Sequence, residues 1–143
     1  MGLVLGSVAP LLWHTQPQSL TELPESYVGV LATAEGKPGL IVSSLREGRV
    51  VDIKQVKGVD VPGGTGYFLW RIDSEGRAAP LGPFGPMRPV GKNMWAKMPL
   101  SEPAEKVFFP AVELAVSMEP LGSTPAAPTQ PYVYRGLCGK LWR

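Results

Sequence analysis

The side chains that could perform catalysis are few in this sequence and do not form a catalytic pattern. The single cysteine, Cys138, and the single histidine, His14, lie near opposite ends of the chain. His14 would be the only base for a nucleophile, and its segment has the character of an anchor or linker. One cysteine also excludes an intrachain disulfide and the cysteine spacings of metal sites. We therefore predict no catalytic residue, no metal ligand and no cofactor, and we interpret Cys138 as a packed or loosely exposed small residue.

The acidic residues are the other candidates for chemistry. Asp52, Asp60, Asp73 and Glu113 do not pair into a motif for general acid and base catalysis. Glu119 differs because it follows an alternating run and opens a proline-rich stretch. A carboxylate in that position can accept backbone N–H bonds and fix a turn. We expect a structural role for Glu119, with ligand binding or plain exposure as the alternatives.

The stretch 112–133 combines an alternating apolar run with a proline-rich segment. Its first half places Leu114, Val116 and Met118 on one side of an extended chain, which is the pattern of a half-buried strand. From Glu119 onward four prolines exclude a helix and a central strand. The sequence therefore predicts a strand, a long rigid hairpin and a second short strand at 132–135.

The rest of the chain contains further short apolar runs separated by turns. The run 67–73 places Phe68, Trp70 and Ile72 on one face, and we expect that face to pack inward. No window after the N-terminal segment has a sustained helical period, so helix content should be low. We predict an all-β antiparallel sandwich or barrel-like domain of about seven to nine short strands. The runs lie at 27–33, 39–44, 49–56, 67–73, 78–86 (an edge strand) and 94–98, with a loop at 87–93 and a polar connection at 100–106.

Length and charge restrict the possible partners. A chain of 143 residues suits one domain. Its 14 basic and 12 acidic residues are scattered and give a net charge of +2, so no basic patch for nucleic acid or an anionic membrane emerges. The 17 glycines and 16 prolines fall between the alternating runs, so we interpret them as turns.

The N-terminal residues are apolar and uncharged up to Trp13. A membrane-spanning helix needs about 20 apolar residues, and a signal peptide needs a basic region and a cleavage site. We interpret 1–14 as the end of a transmembrane helix, 15–26 as a linker and 27–143 as an extracytoplasmic β domain. The alternative is a short buried or domain-swapped segment of a soluble protein.

Three stretches together resemble the C-terminal, extracytoplasmic domain of the anti-sigma-K factor (RskA-like) family. They read Y-F-L-W-R-I at 67–72, P-L-G-P-F at 80–84 and A-V-S-M-E-P-L-G-S-T-P-A-A-P-T-Q-P-Y-V at 115–133. The resemblance extends over residues 27–137. The residues that match the structural motifs of the family are Tyr67, Leu69, Trp70, Glu119, Pro120, Gly122, Ser123, Pro125, Pro128 and Thr129.

The resemblance implies a non-catalytic regulatory or sensory domain of a membrane-anchored anti-sigma factor. Such a domain would control release of an alternative sigma factor through regulated proteolysis, from the periplasmic side of a single-pass inner-membrane protein. The sigma factor would be a partner only through a cytoplasmic region that this sequence lacks. The membrane would be contacted through the N-terminal segment, and a site-1 protease and a second copy of the domain are further candidate partners.

Two other classes of function remain open at this level. In one, the proline-rich hairpin and two exposed aromatic residues, Phe84 and Trp95, form a groove for a small molecule or peptide of the cell envelope. In the other, the domain serves only for self-association through an edge strand.

Overall fold

Short alternating runs of apolar residues pair into one antiparallel sheet. The computed structural model describes residues 26–45 and 47–141. Within them the elements, in chain order, are β1 (Ser26–Ala32), β2 (Pro38–Leu45), β3 (Val50–Gln55), β4 (Thr65–Ile72), β5 (Ala78–Phe84), β6 (Arg88–Val90), β7 (Asn93–Pro99), α1 (Ala104–Phe108), β8 (Glu113–Pro120) and β9 (Tyr132–Leu141).

The nine described strands form a curled half-barrel sheet in the order β5-β4-β8-β9-β1-β2-β3-β7-β6. Every neighbouring pair is antiparallel, and β1 is the middle strand. The curl brings β5 back toward β7. A Cβ atom placed on Gly82 in β5 would lie only 3.7 Å from Met98 Sδ in β7, which shows how close the two strands are. The prediction of an all-β antiparallel domain is therefore confirmed, and the strand number lies at the upper end of the expected range.

The concave face of the sheet holds the main hydrophobic core. Helix α1 closes one end of this core, where the rings of Tyr27 and Phe108 lie 5.7 Å apart. Arg71 Nη1 also donates a hydrogen bond of 2.8 Å to the carbonyl oxygen of Val107 at that end. Burial of these apolar side chains is the main source of stability for such a domain. Fully covered core residues include Leu31, Leu40, Val51, Ile53, Leu69, Val116 and Tyr134.

Strands β4 and β8 are each buried on both faces, which corrects the prediction of a half-buried strand in the stretch 112–133 and the interpretation of β4. Tyr67 and Leu69 belong to the main core, whereas Phe68 and Trp70 lie on the opposite face and are buried there. The rings of Phe68 and Trp70 pack against each other with centroids 4.8 Å apart. Alternation correctly indicated which residues share a face, but the expected inward face is the convex one. On this face Thr129, from the connection after β8, donates hydrogen bonds to Glu119.

Several boundaries differ from the predicted ones. The predicted loop at 87–93 contains the short strand β6, paired with β7, and the predicted polar connection at 100–106 contains the start of α1. Strand β9 runs through ten residues, well beyond the predicted end at 135. Strand β5 is an edge strand as expected, and the runs predicted at 27–33, 39–44 and 49–56 form β1, β2 and β3, which pair in chain order.

The described part of the chain has no helix with the length and apolar character that a membrane crossing requires. The apolar segment 1–14 and nearly all of the linker 15–26 lie outside the described residues. The assignment of these regions, and the division into domains, stay predictions.

Candidate functional site

A buried polar network lies on the convex face of β4 and β8, and we call it the Glu119 clasp. It consists of Trp70, Ser117, Glu119 and Thr129. Trp70 Nε1 donates to Ser117 Oγ at 2.9 Å, and Ser117 Oγ donates to Glu119 Oε2 at 2.6 Å. Thr129 donates twice to the same carboxylate, from its backbone N–H to Oε2 at 3.1 Å and from its hydroxyl to Oε1. The clasp thus joins β4 and β8 to Thr129, which lies ten positions after Glu119 in the chain.

Strand register explains why the clasp forms on one face. Trp70 lies opposite Ala115 in the β4–β8 ladder, and two residues along the ladder Phe68 lies opposite Ser117. The period of two in a strand then places the indole of Trp70, the hydroxyl of Ser117 and the carboxylate of Glu119 on the same side. Because Trp70, Ser117 and Glu119 are all buried, each polar group among them needs a partner.

A tight turn after β8 begins the return of the chain toward the clasp. The backbone N–H of Ser123 donates to the carbonyl oxygen of Pro120 at 3.1 Å, and the Ser123 hydroxyl donates to the same oxygen at 2.6 Å. Gly122 has a φ of 78°, a left-handed conformation that glycine adopts without steric cost. The backbone N–H of Leu121 donates to the carbonyl oxygen of Gly64 at 2.9 Å, which anchors the turn to the loop before β4.

The carboxylate of Glu119 is 2 % exposed and is held in its ionised form. Burial acts to raise the pKa of Glu119, but hydrogen bonds from Ser117, Thr129 and the backbone N–H of Gln130 outweigh it and lower the pKa. Several N–H and O–H donors around one carboxylate favour the charged form in this way. The clasp can therefore hold a buried negative charge with no cationic partner among residues 26–45 and 47–141.

The motif residues lie in three different parts of the structure. Trp70, Glu119 and Thr129 meet in the clasp, whereas Tyr67 and Leu69 point into the main core on the other side of β4. Glu119 and Thr129 lie ten residues apart, and the sequence motif did not show that they form hydrogen bonds. The remaining motif residues are in the connection between β8 and β9 or at its start, namely Pro120, Gly122, Ser123, Pro125 and Pro128.

A pocket of about 630 Å³ opens at the end of the half-barrel opposite α1, and we call it the end pocket. Its walls come from both sides of the sheet opening, since Tyr67 and Phe84 contribute from β4 and β5 and Met94 contributes from β7. The described residues that line it are Gln55, Val61, Thr65, Gly66, Tyr67, Phe68, Pro83, Phe84, Gly85, Pro86, Met87, Met94, Glu119, Pro120, Leu121, Gly122 and Ser123.

Phe84 and Trp95 do not form the exposed aromatic groove that was one of the alternatives from the sequence. Phe84 is only 6 % exposed, because its ring stacks on Tyr67 with centroids 5.1 Å apart and an interplanar angle of 10°. Trp95 is half-buried on β7, where Lys54 Nζ lies 5.9 Å from its ring centroid, and it does not line the end pocket. Both rings lie against their direct cross-strand partners, Phe84 against Tyr67 and Trp95 against Lys54, and this register was not predicted from the sequence.

Three hydroxyl and amide groups form a polar cluster next to the end pocket. Gln55 Nε2 donates to Tyr67 Oη at 3.1 Å and to Tyr134 Oη at 3.3 Å. The Tyr134 hydroxyl donates in turn to the carbonyl oxygen of Lys57 at 2.6 Å. Burial raises the pKa of Tyr134, so its phenol is neutral at physiological pH. Gln55 and Tyr134 were not predicted as site residues. The only signal for them in the sequence was the alternation of side chains along their strands, β3 and β9.

The other acidic residues considered from the sequence do not converge. Asp52 pairs with Lys97 across β3 and β7, and Glu113 pairs with Arg135 across β8 and β9, with Arg135 Nε donating at 2.8 Å. Asp73 accepts backbone N–H bonds in the turn between β4 and β5. Across residues 26–45 and 47–141, no group of three His, Cys, Asp or Glu side chains is arranged to hold a metal ion.

These features define a class of protein: a small all-β domain closed by a buried, fully hydrogen-bonded polar clasp. The family described as "Anti-sigma-K factor rskA, C-terminal" matches residues 1–132, and the chain belongs to this family. No match to the chain was found among curated proteins or among solved structures. The family is regulatory, has a sigma factor as partner and is in general membrane-associated.

Proposed function

We propose that this chain is the non-catalytic, extracytoplasmic regulatory domain of a membrane-anchored anti-sigma factor. Its folding state controls release of an alternative sigma factor by governing proteolysis near the membrane. The observation that carries the proposal is the family match, which spans residues 1–132. The single-pass inner-membrane location and the periplasmic side of this domain belong to the same proposal.

The position of β1 supports a protective role for the fold. Strand β1 begins at Ser26, the last residue of the predicted linker, and it is the middle one of the nine described strands. A protease binds its substrate in an extended, unfolded form, so cleavage beside a paired strand requires local opening. While the sheet is intact, the linker continues into a strand that is hydrogen-bonded to neighbours on both sides. Unfolding of the domain would release the linker for a site-1 protease.

The test uses Trp70→Ala in the full-length, membrane-anchored protein. Trp70 is completely buried and donates to the clasp, so its truncation should cost about 3–5 kcal/mol. We expect faster cleavage of the anti-sigma factor and higher sigma-dependent transcription. Trp95→Ala is the matched control, because Trp95 is only half-buried and its loss should have a much smaller effect.

Two measurements are needed for a decision. Circular dichroism of the purified domain reports whether the variant is unfolded, and immunoblotting of the full-length protein reports cleavage. If Trp70→Ala unfolds the domain and leaves both cleavage and transcription unchanged, the fold does not protect the linker and the proposal is wrong.

A further inference from the structure

The end pocket has a mainly apolar lining that no described contact fills. The stacked rings of Tyr67 and Phe84 form part of one wall, and the side chains of Met87 and Met94 add flexible, polarisable surface. Its volume of about 630 Å³ lies within the range of pockets that bind small molecules. A preformed cavity of this kind favours an occupant with a large apolar body.

The charges around the end pocket argue against an ionic occupant. Among the described residues that line it there is neither lysine nor arginine, and Glu119 is the only acidic one. The oxygens of Glu119 already accept hydrogen bonds from Ser117 and Thr129. A charged group entering this site would lose water without gaining a counter-ion, which is strongly unfavourable.

The polar groups of the lining leave one position for a hydrogen bond to a ligand. The hydroxyls of Thr65 and Ser123 donate to the backbone oxygens of Pro62 and Pro120. At the Gln55–Tyr67 contact, the amide nitrogen of Gln55 donates to the hydroxyls of Tyr67 and Tyr134. The described hydrogen bonds leave the Tyr67 O–H as a donor and Gln55 Oε1 as an acceptor for an entering group. Convergence of a few polar groups in an apolar cavity is typical of small-molecule sites.

We propose that the end pocket binds an uncharged, mainly apolar small molecule that carries one hydrogen-bonding group. The apolar body packs between the Tyr67–Phe84 pair and Met94, and the polar group meets Gln55. The ligand then contacts both sides of the sheet opening, which have no described hydrogen-bonded ladder between them. Binding stabilises the folded domain relative to the unfolded chain by mass action. Use of this ligand as the signal that controls proteolysis rests on the proposed function, whereas binding itself does not.

A matched pair of fluorescent probes tests the class of ligand. N-phenyl-naphthylamine is uncharged, and anilinonaphthalene sulfonate has the same aromatic body with an added anionic group. We expect saturable, one-to-one binding of the uncharged probe to the purified domain, a higher melting temperature in its presence, and affinity for the anionic probe that is lower by about tenfold.

Substitutions locate the bound probe. Met87→Trp should reduce the affinity for N-phenyl-naphthylamine by about tenfold, because the indole occupies pocket volume. Leu137→Trp is the control, since Leu137 is 72 % exposed and does not line the pocket. If Met87→Trp does not fold by circular dichroism, Val61→Arg replaces it, because Val61 lines the pocket from an exposed loop.

The outcomes are distinguishable from failure of the proposed function. The inference is overturned if the uncharged probe does not saturate, if the anionic probe binds equally well, or if the folded pocket variant binds like the control variant. Because these measurements use the purified domain, they do not depend on cleavage of the full-length protein. Cleavage that responds to unfolding but not to the probe would retain the proposed function and reject the pocket as its input.

Discussion

The Glu119 clasp makes a quantitative prediction about stability. Glu119→Ala removes the acceptor for the Ser117 hydroxyl and for both donors of Thr129. A hydrogen bond to a charged group contributes about 1.5–3 kcal/mol, and such contributions do not add within one network. Since the carboxylate is 2 % exposed, water cannot fully replace it. We expect a loss of about 3–5 kcal/mol in the free energy of unfolding.

Glu119→Gln should be milder because it preserves the shape of the side chain. The amide oxygen can accept from Ser117 and from the Thr129 N–H, while the amide nitrogen can donate to the Thr129 hydroxyl. The loss then comes from the missing charge, and we expect about 1–2 kcal/mol. The predicted order of stability is wild type, then Gln, then Ala.

Urea unfolding followed by circular dichroism measures these differences, and hydrogen exchange at the Thr129 amide reports on the clasp itself. Glu75→Ala is the matched control, since the Glu75 side chain is 70 % exposed in a turn and pairs only with Arg77 in the contacts described. Its exposed ion pair should contribute little. A loss below about 1 kcal/mol for Glu119→Ala, or unchanged exchange at Thr129, would refute the view that the clasp holds the segment after β8 to the sheet.

Two further predictions concern acid sensitivity and backbone packing. The lowered pKa of Glu119 means that its charge contributes stability above the unfolded-state value of about 4.3, and this contribution is lost as the pH falls through the folded-state pKa. The stability difference between wild type and Glu119→Gln, measured by urea unfolding, should therefore shrink from about pH 5 downward; a difference independent of pH would contradict the assignment. Gly136→Ala should cost about 3 kcal/mol or more, because its new Cβ would lie 2.1 Å from the carbonyl oxygen of Val30 in β1. Gly139→Ala is the control in the same strand, with its nearest atom at 3.4 Å, and equal thermal stability of the two variants would count against this close approach.

Much of the fold follows from local patterns in the chain. The run that became β8 shows alternation of Leu114, Val116 and Met118, and all three lie in the main core. Glycine and proline between such runs marked most of the turns, because they interrupt regular backbone conformations. Strand β6 was missed because three residues containing a proline, Arg88–Val90, have too little pattern to distinguish them from a loop.

The candidate site was only partly accessible to sequence reasoning. Glu119 could be selected because a carboxylate beside prolines suits a turn, but its bonding to Ser117 and Thr129 depends on how the chain returns to β8. The end pocket was even harder to predict from the sequence, because Gln55 and Met94 line it from strands that the curl of the sheet brings near Tyr67.

The sequence by itself determined that this protein is an all-β domain with little helix, and its motif residues indicated the anti-sigma factor family. The alternation of side chains along a strand is a local property of the sequence, so it can be recognised without knowing which strands are neighbours in the sheet. Only the tertiary structure decided which face of β4 meets the main core, why Phe84 is buried, and where the clasp and the end pocket lie. These features depend on contacts between residues far apart in the chain, which the order of side chains along a single strand does not specify.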